Sequence, residues 1–158
     1  GNVNTRLRKV EESNWHGAIF AAAGLERIGL RPADAVSLDW MLPAPAQGAI
    51  LVVCKENDDY SLAACLGFND EVTAICTRVE RDFLRALLGG CTTPISGLAQ
   101  MEGGNIQFTG NILSKDGREK VEVSMTVPIA EAGTLGSVAA DFILANGGRA
   151  ILDAMKTD

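Results

Sequence analysis

Apolar residues recur at the helical spacing from about Asp70 to Leu88. Val72, Ile75, Cys76, Val79, Phe83, Leu84 and Leu87 fall on one face, which predicts a long amphipathic helix. Asn69 and Asp70 supply cap chemistry at its start. Gly89 fits the position just past its end, because a residue without Cβ can take the left-handed conformation that closes a last turn. Three strands are expected next, at Ile95–Glu102, Ile106–Ser114 and Arg118–Val127. Gly103-Gly104 and Asp116-Gly117 between them are strong hairpin signals. A helix is predicted over Thr134–Asn146, with Leu135, Val138, Ala139, Phe142 and Ile143 on one face and Gly147 just past it. Short helices are predicted at Ser61–Gly67 and Ala150–Met155. From about residue 59 the pattern is therefore an α+β layer, a three-stranded antiparallel sheet covered by helices on one face.

The first 58 residues are patterned differently. Residues 1–14 read as a loop entering a short helix, with Asn4 or Thr5 as cap candidates. Residues 17–22 and 49–54 are apolar at consecutive rather than alternating positions, the pattern of strands buried on both faces of a parallel sheet. Nothing before residue 17 offers a strand to pair with, and the chain opens on Gly1 rather than Met. These features predict a piece cut from a larger α/β domain. Gly24–Leu30 is expected to be a short helix at the C-terminal end of the first strand, where open α/β sheets place ligand sites. Pro32, Pro43, Pro45 and Gly48 mark a connector, and Lys55–Asp59 a charged break before a separate unit.

Composition narrows the chemistry. The chain has 158 residues, 47% of them hydrophobic, enough for one good core or one core and part of a second. Its formal net charge of -6 argues against a broad nucleic-acid surface, which needs clustered Lys and Arg. No run is long and apolar enough to span a membrane, and a cytoplasmic protein with reduced thiols is the expectation. Arg6, Arg8, Lys9, Arg27 and Arg31 form a local basic excess that could hold an anion, with Arg6 adding a bidentate donor at a helix start. An ordinary solvated basic helix accounts for the same residues. His16, the only histidine, reads as surface or satisfied packing.

The four cysteines, at 54, 65, 76 and 91, lack the close spacing of a zinc site or a redox pair, so no metal is expected. Cys54, Cys65 and Cys76 lie in apolar runs and are expected to be buried core thiols. Cys91 alone has a loop address, in Gly89-Gly90-Cys91-Thr92-Thr93-Pro94-Ile95. A thiol just past a helix C-terminus feels the negative end of the helix dipole, which disfavours the thiolate.

The segments Gly1-Asn2-Val3-Asn4-Thr5-Arg6-Leu7, residues 21–30, Leu42-Pro43-Ala44-Pro45-Ala46-Gln47-Gly48-Ala49, Glu80-Arg81 and residues 89–95 occur in an order that resembles the porphobilinogen deaminase (hydroxymethylbilane synthase) family. The resemblance runs through the whole chain. It implies the C-terminal part of a three-domain enzyme. Residues 1–40 would end domain two, a lobe built like that of a periplasmic binding protein. Residues 41–58 would be a return strand and linker to domain one, and residues 59–158 the α+β third domain.

By the same resemblance, Cys91 carries a covalent dipyrromethane cofactor through a thioether, and the enzyme links four porphobilinogen units head to tail to give hydroxymethylbilane for tetrapyrrole (heme) biosynthesis. Deamination of porphobilinogen yields an azafulvene, an electrophile that a thiol of ordinary pKa can capture. Arg6 and Arg27 match carboxylate-binding arginines, suited to the acetate and propionate groups of the pyrroles. Gln47 and Gly48 match a loop near cofactor and substrate. Pro45-Ala46 stands where the family commonly has Val-Gly, and Thr92 where it has Gln, which leaves the attachment chemistry intact but alters the loop's backbone contacts. The family's catalytic aspartate lies in sequence absent here, so the resemblance implies no catalytic residue in this chain and an inactive fragment of a monomeric transferase. Strand exchange would offer such a fragment a route to self-association. A non-catalytic polycarboxylate-binding or packing module is the alternative reading.

Overall fold

The computed structural model describes residues 2–87 and 93–156. The chain divides into two compact units, Gly1–Asp39 and Trp40–Asp158.

The first unit holds two helices, α1 (Val3–Glu12) and α2 (Ala22–Arg27). Asn2, rather than Asn4 or Thr5, caps α1, its side chain accepting from the Asn4 N–H at 3.2 Å. Arg6 consequently stands at the close of the first turn, its N–H bonded to the Asn2 carbonyl at 3.2 Å. The strand expected at 17–22 does not form: residues 17–21 have no ladder, α2 begins at Ala22, and Ile19 is exposed. An apolar run of this kind becomes a strand only when neighbours supply hydrogen bonds on both edges, and among the described residues none does.

The second unit contains α3 (Asp59–Leu66), α4 (Glu71–Ala86), β1 (Ile95–Glu102), β2 (Asn105–Leu113), β3 (Lys120–Pro128), α5 (Leu135–Ile143) and α6 (Arg149–Lys156). The sheet is antiparallel in the order β1-β2-β3, as the hairpin signals predict. Gly103 and Gly104 both have positive φ (56° and 83°), and Glu102 pairs with Asn105 across them. That is the two-residue turn whose twist matches the flanking strands. Residues 49–55, by contrast, run without a ladder, and Ile50 and Val53 are exposed, for the same want of neighbours.

One core joins the helices to one face of the sheet. Ile106, Phe108 and Ile112 of β2 and Ile95 and Ala99 of β1 meet Val79, Phe83 and Leu87 of α4 and Leu135, Ala139 and Ile143 of α5. Phe83 and Phe108 pack edge to face, 4.9 Å between centroids, over the cross-strand pair Gly97 and Gly110. The buried side of α5 is rotated from the predicted one. Gly136 and Ala140 are buried, while Val138 and Phe142 are partly exposed. Small residues let this helix approach α4 closely, so the contact follows Gly136 and the alanines rather than the bulkiest apolar side chains. After α5 the chain passes through a kink with φ +110° at Gly147, the helix-ending glycine the sequence predicts.

Asp70 caps α4 by accepting the Thr73 N–H at 2.7 Å, and that backbone hydrogen bond holds its carboxyl below the usual carboxylate range. A depressed carboxylate pKa contributes stability above its unfolded value, about 3.9, and loses it as pH falls through the folded value. Asp70→Ala is therefore expected to lower the urea midpoint at neutral pH. The gap between variant and parent should close as pH falls below about 4, as followed by helical circular dichroism.

Candidate functional site

Helix α4 presents Glu80 from within its apolar face, one residue after Val79 and three before Phe83, and the side chain is only 5% exposed. Among the described residues no cation pairs with its carboxylate. Oε1 accepts the Ala99 N–H at 2.8 Å and Oε2 accepts the Ala46 N–H at 2.6 Å. Ala99 belongs to β1, whose outer edge would otherwise present unpaired N–H groups; the Gly97 N–H next along that edge reaches the Pro43 carbonyl at 3.0 Å. Segment 43–46 and Glu80 together close the edge of the sheet.

This docking shapes the Gln47–Gly48 loop. The Gln47 N–H bonds to the Ala44 carbonyl at 3.0 Å, and the Gln47 Oε1 accepts the Ala44 N–H at 3.0 Å. Ala46 has φ +60°, a left-handed conformation that a residue with Cβ adopts at a cost, and Gly48 has φ +84°. A Cβ on Gly48 would meet nothing within 4 Å, so backbone conformation rather than space calls for glycine there. Gln47 and Gly48 are both exposed, and the Gln47 carboxamide keeps its NH₂ donors outward of the bond it accepts.

The same end of β1 receives the connection from α4. Leu87, fully buried, anchors one side, and the Pro94 carbonyl, accepting the Leu113 N–H at 3.0 Å, anchors the other. Cys91 and the predicted helix-ending Gly89 lie in this connection, outside the described residues. Of the other cysteines, Cys76 meets the sequence expectation of burial and two differ from it. Cys54 is exposed and Cys65 half-buried; only Cys76 is buried. Burial, reinforced by the Glu80 and Asp70 carboxylates, pushes the Cys76 thiol up, which makes it inert. Cys54 surfaces because the strand expected to bury it is not formed.

In the first unit, the arginines sort into two kinds. Arg8 pairs with Glu12 at 3.7 Å, and Arg31 pairs with Glu26. Arg6, on α1, and Arg27, the last residue of α2, are exposed and have no carboxylate partner among the described residues. Their guanidinium forks are free to take carboxylates from outside the chain. These donors suit a group bearing acetate and propionate carboxylates.

A separate groove of about 650 Å³ lies between residues 49–52, Leu62 and Leu66 of α3, and Arg78, Arg81 and Arg85 of α4. Among the described residues predicted for the site, Arg6, Arg27, Gln47 and Gly48, none lines it. In the sequence Glu80 stands only as part of the Glu80-Arg81 motif; the signal that singles it out is a carboxylate inside the 76-79-83-87 apolar stripe.

Comparison with known proteins places these features. Residues 1–63 match the family model described as "Porphobilinogen deaminase, dipyromethane cofactor binding domain". Residues 74–145 match that described as "Porphobilinogen deaminase, C-terminal domain". The chain is 40% identical over 155 residues to the porphobilinogen deaminase of Pelobacter propionicus, covering 97% of this chain and 50% of that protein. It is 40% identical over 157 residues to that of Syntrophotalea carbinolica, with 98% and 50% covered. For Macrococcus caseolyticus the figures are 39% over 163 residues, with 100% and 52% covered. The chain thus spans about half the length of the curated relatives it matches. Matched by both domain models in succession and by relatives along nearly its whole length, the chain belongs to the porphobilinogen deaminase family.

Proposed function

We propose that the protein to which this chain contributes is a porphobilinogen deaminase, a transferase that condenses four porphobilinogen units head to tail into hydroxymethylbilane in the cytoplasm. The observation that carries this reading is the succession, on one chain, of the cofactor-binding-domain match over residues 1–63 and the C-terminal-domain match over residues 74–145. In this reading residues 1–40 complete an α/β lobe of the periplasmic-binding-protein kind. Residues 41–58 are a linker and a return strand to domain one, a strand that pairs only where the rest of the protein supplies the neighbours missing here, and residues 59–158 form domain three.

Cys91 is the attachment residue for dipyrromethane, which when bound supplies the primer that the pyrrole units extend. Arg6 and Arg27 bind acetate and propionate carboxylates, and their lack of carboxylate partners among the described residues supports that role. Gln47 and Gly48 line the cofactor and substrate side of their loop, supported by the exposure of both residues and the outward amide of Gln47. Porphobilinogen is the small-molecule partner, and the complete protein acts as a monomer. No described helix is long and apolar enough to cross a membrane.

The test is made on the complete protein: its intact mass, and its consumption of porphobilinogen. The expected result is an added mass matching dipyrromethane together with turnover. An unmodified protein that binds polycarboxylates without consuming porphobilinogen would replace this reading with that of a binding module. The 158-residue chain assayed alone is expected to show no turnover, and a rate near that of the complete protein would refute the assignment of the remaining machinery to the other half of the relatives' length.

A further inference from the structure

We infer that Glu80 is a positioning residue for the Gln47–Gly48 loop, fastening it to the edge of β1. The inference deepens the proposed function of that loop and rests on it. Three observations carry it. First, the Glu80 carboxylate is 5% exposed and is held by two backbone N–H donors, and among the described residues no cation pairs with it. Removing a buried carboxylate from water costs free energy, so a buried acid with no cationic partner is retained for the hydrogen bonds it makes. Second, those donors come from places remote in sequence: Ala46 is 34 residues away and Ala99 is 19. One side chain thus ties a loop, a helix and a strand edge at a single point. Third, Ala46 stands at φ +60°, and a non-glycine residue keeps such a conformation only where surrounding contacts determine it. The 2.6 Å bond from its N–H to Glu80 is such a contact.

The chemistry of the side chain makes a sharp test possible. Two N–H donors face two carboxylate oxygens. Glutamine fills the same volume but offers one oxygen and one NH₂, so one backbone donor is left facing another donor. Ala99 is fixed by its strand, and Ala46 sits in a loop, so Ala46 is the one released. Glu80→Asp keeps both acceptor oxygens on a shorter arm and serves as the second variant should the glutamine fail to fold.

The first measurement is hydrogen exchange at the Ala46 and Ala99 amides of the ¹⁵N-labelled chain, with a urea midpoint for each variant. Glu80→Gln is expected to speed Ala46 exchange at least about tenfold while Ala99 stays within about twofold. The second is made on the complete protein: KM for porphobilinogen should rise about tenfold with kcat within about twofold, and the added cofactor mass should be retained. Unchanged Ala46 exchange would overturn the fastening. Faster Ala46 exchange with unchanged KM would overturn the positioning role and leave Glu80 a device of the fold alone. If the unaltered complete protein neither carries the added mass nor consumes porphobilinogen, the proposed function fails, and the positioning role for substrate fails with it; that result is read before any variant is made, so the two failures are told apart.

Discussion

Replacing Gly136 by alanine is expected to lower the stability of the second unit by about 3 kcal/mol, and replacing it by valine to abolish its cooperative unfolding transition. A Cβ at this position would lie 2.2 Å from the Val79 carbonyl oxygen and 2.9 Å from the Phe83 backbone nitrogen. Both are main-chain atoms of α4, and relieving the overlap means moving one helix away from the other. That shift opens the contacts of Leu135, Ala139 and Ile143 with Val79 and Phe83, where dispersion is lost within a fraction of an ångström. Gly110→Ala is the control that isolates this cause. Its Cβ would also be crowded, with Phe108 Cζ and Phe83 Cζ at 2.8 Å, but those are ring edges that can tilt. The expected cost is about 1 kcal/mol, since the backbone stays in place. Equal urea midpoints for the two alanine variants would show that the helix approach is not what limits the unit's stability.

The α+β half of the chain was legible because its signals are local. Gly103-Gly104 specifies a two-residue hairpin whatever surrounds it, and the stripe from Val72 to Leu87 carries its own period. Residues 17–22 and 49–54 carry a strand pattern but form no strand here, for a reason of the opposite kind: a strand buried on both faces is defined by its neighbours, and the described residues contain none for them. The exposure of Cys54 follows from the same absence. On α5, Val138 and Phe142 drew the predicted face toward the larger side chains, whereas the close approach to α4 selected Gly136 and Ala140. The candidate site was legible only as motifs. Arg6 and Arg27 cannot be told from Arg8 and Arg31 along the chain, and only geometry shows which of them are closed on carboxylates. Glu80 was hidden because its partners are backbone N–H groups, which leave no mark on the identity of Ala46 or Ala99.

Cys91→Ser in the complete protein is expected to eliminate the added dipyrromethane mass and to lower porphobilinogen turnover at least about a thousandfold, with no change in urea midpoint. Serine keeps the size and hydrogen bonding of the side chain. What it loses is nucleophilicity, since a thiol is a few per cent ionised near neutral pH and a hydroxyl is not. The substitution therefore separates attachment from folding. The rival thiols are ranked by their surroundings. Cys76 is excluded as a nucleophile by burial and by two nearby carboxylates that push it up. Cys65 is half-buried on α3, and Cys54 is exposed, which makes Cys54 the strongest competitor among the described residues. Cys54→Ser is accordingly the matched control, expected to keep both mass and turnover. Should the added mass persist in Cys91→Ser and vanish in Cys54→Ser, the attachment site would move to the 49–54 segment, and the α4 to β1 connection would lose its role. Loss of the mass in Cys91→Ser alone assigns the thioether to Cys91 and leaves Cys54, Cys65 and Cys76 without a part in attachment.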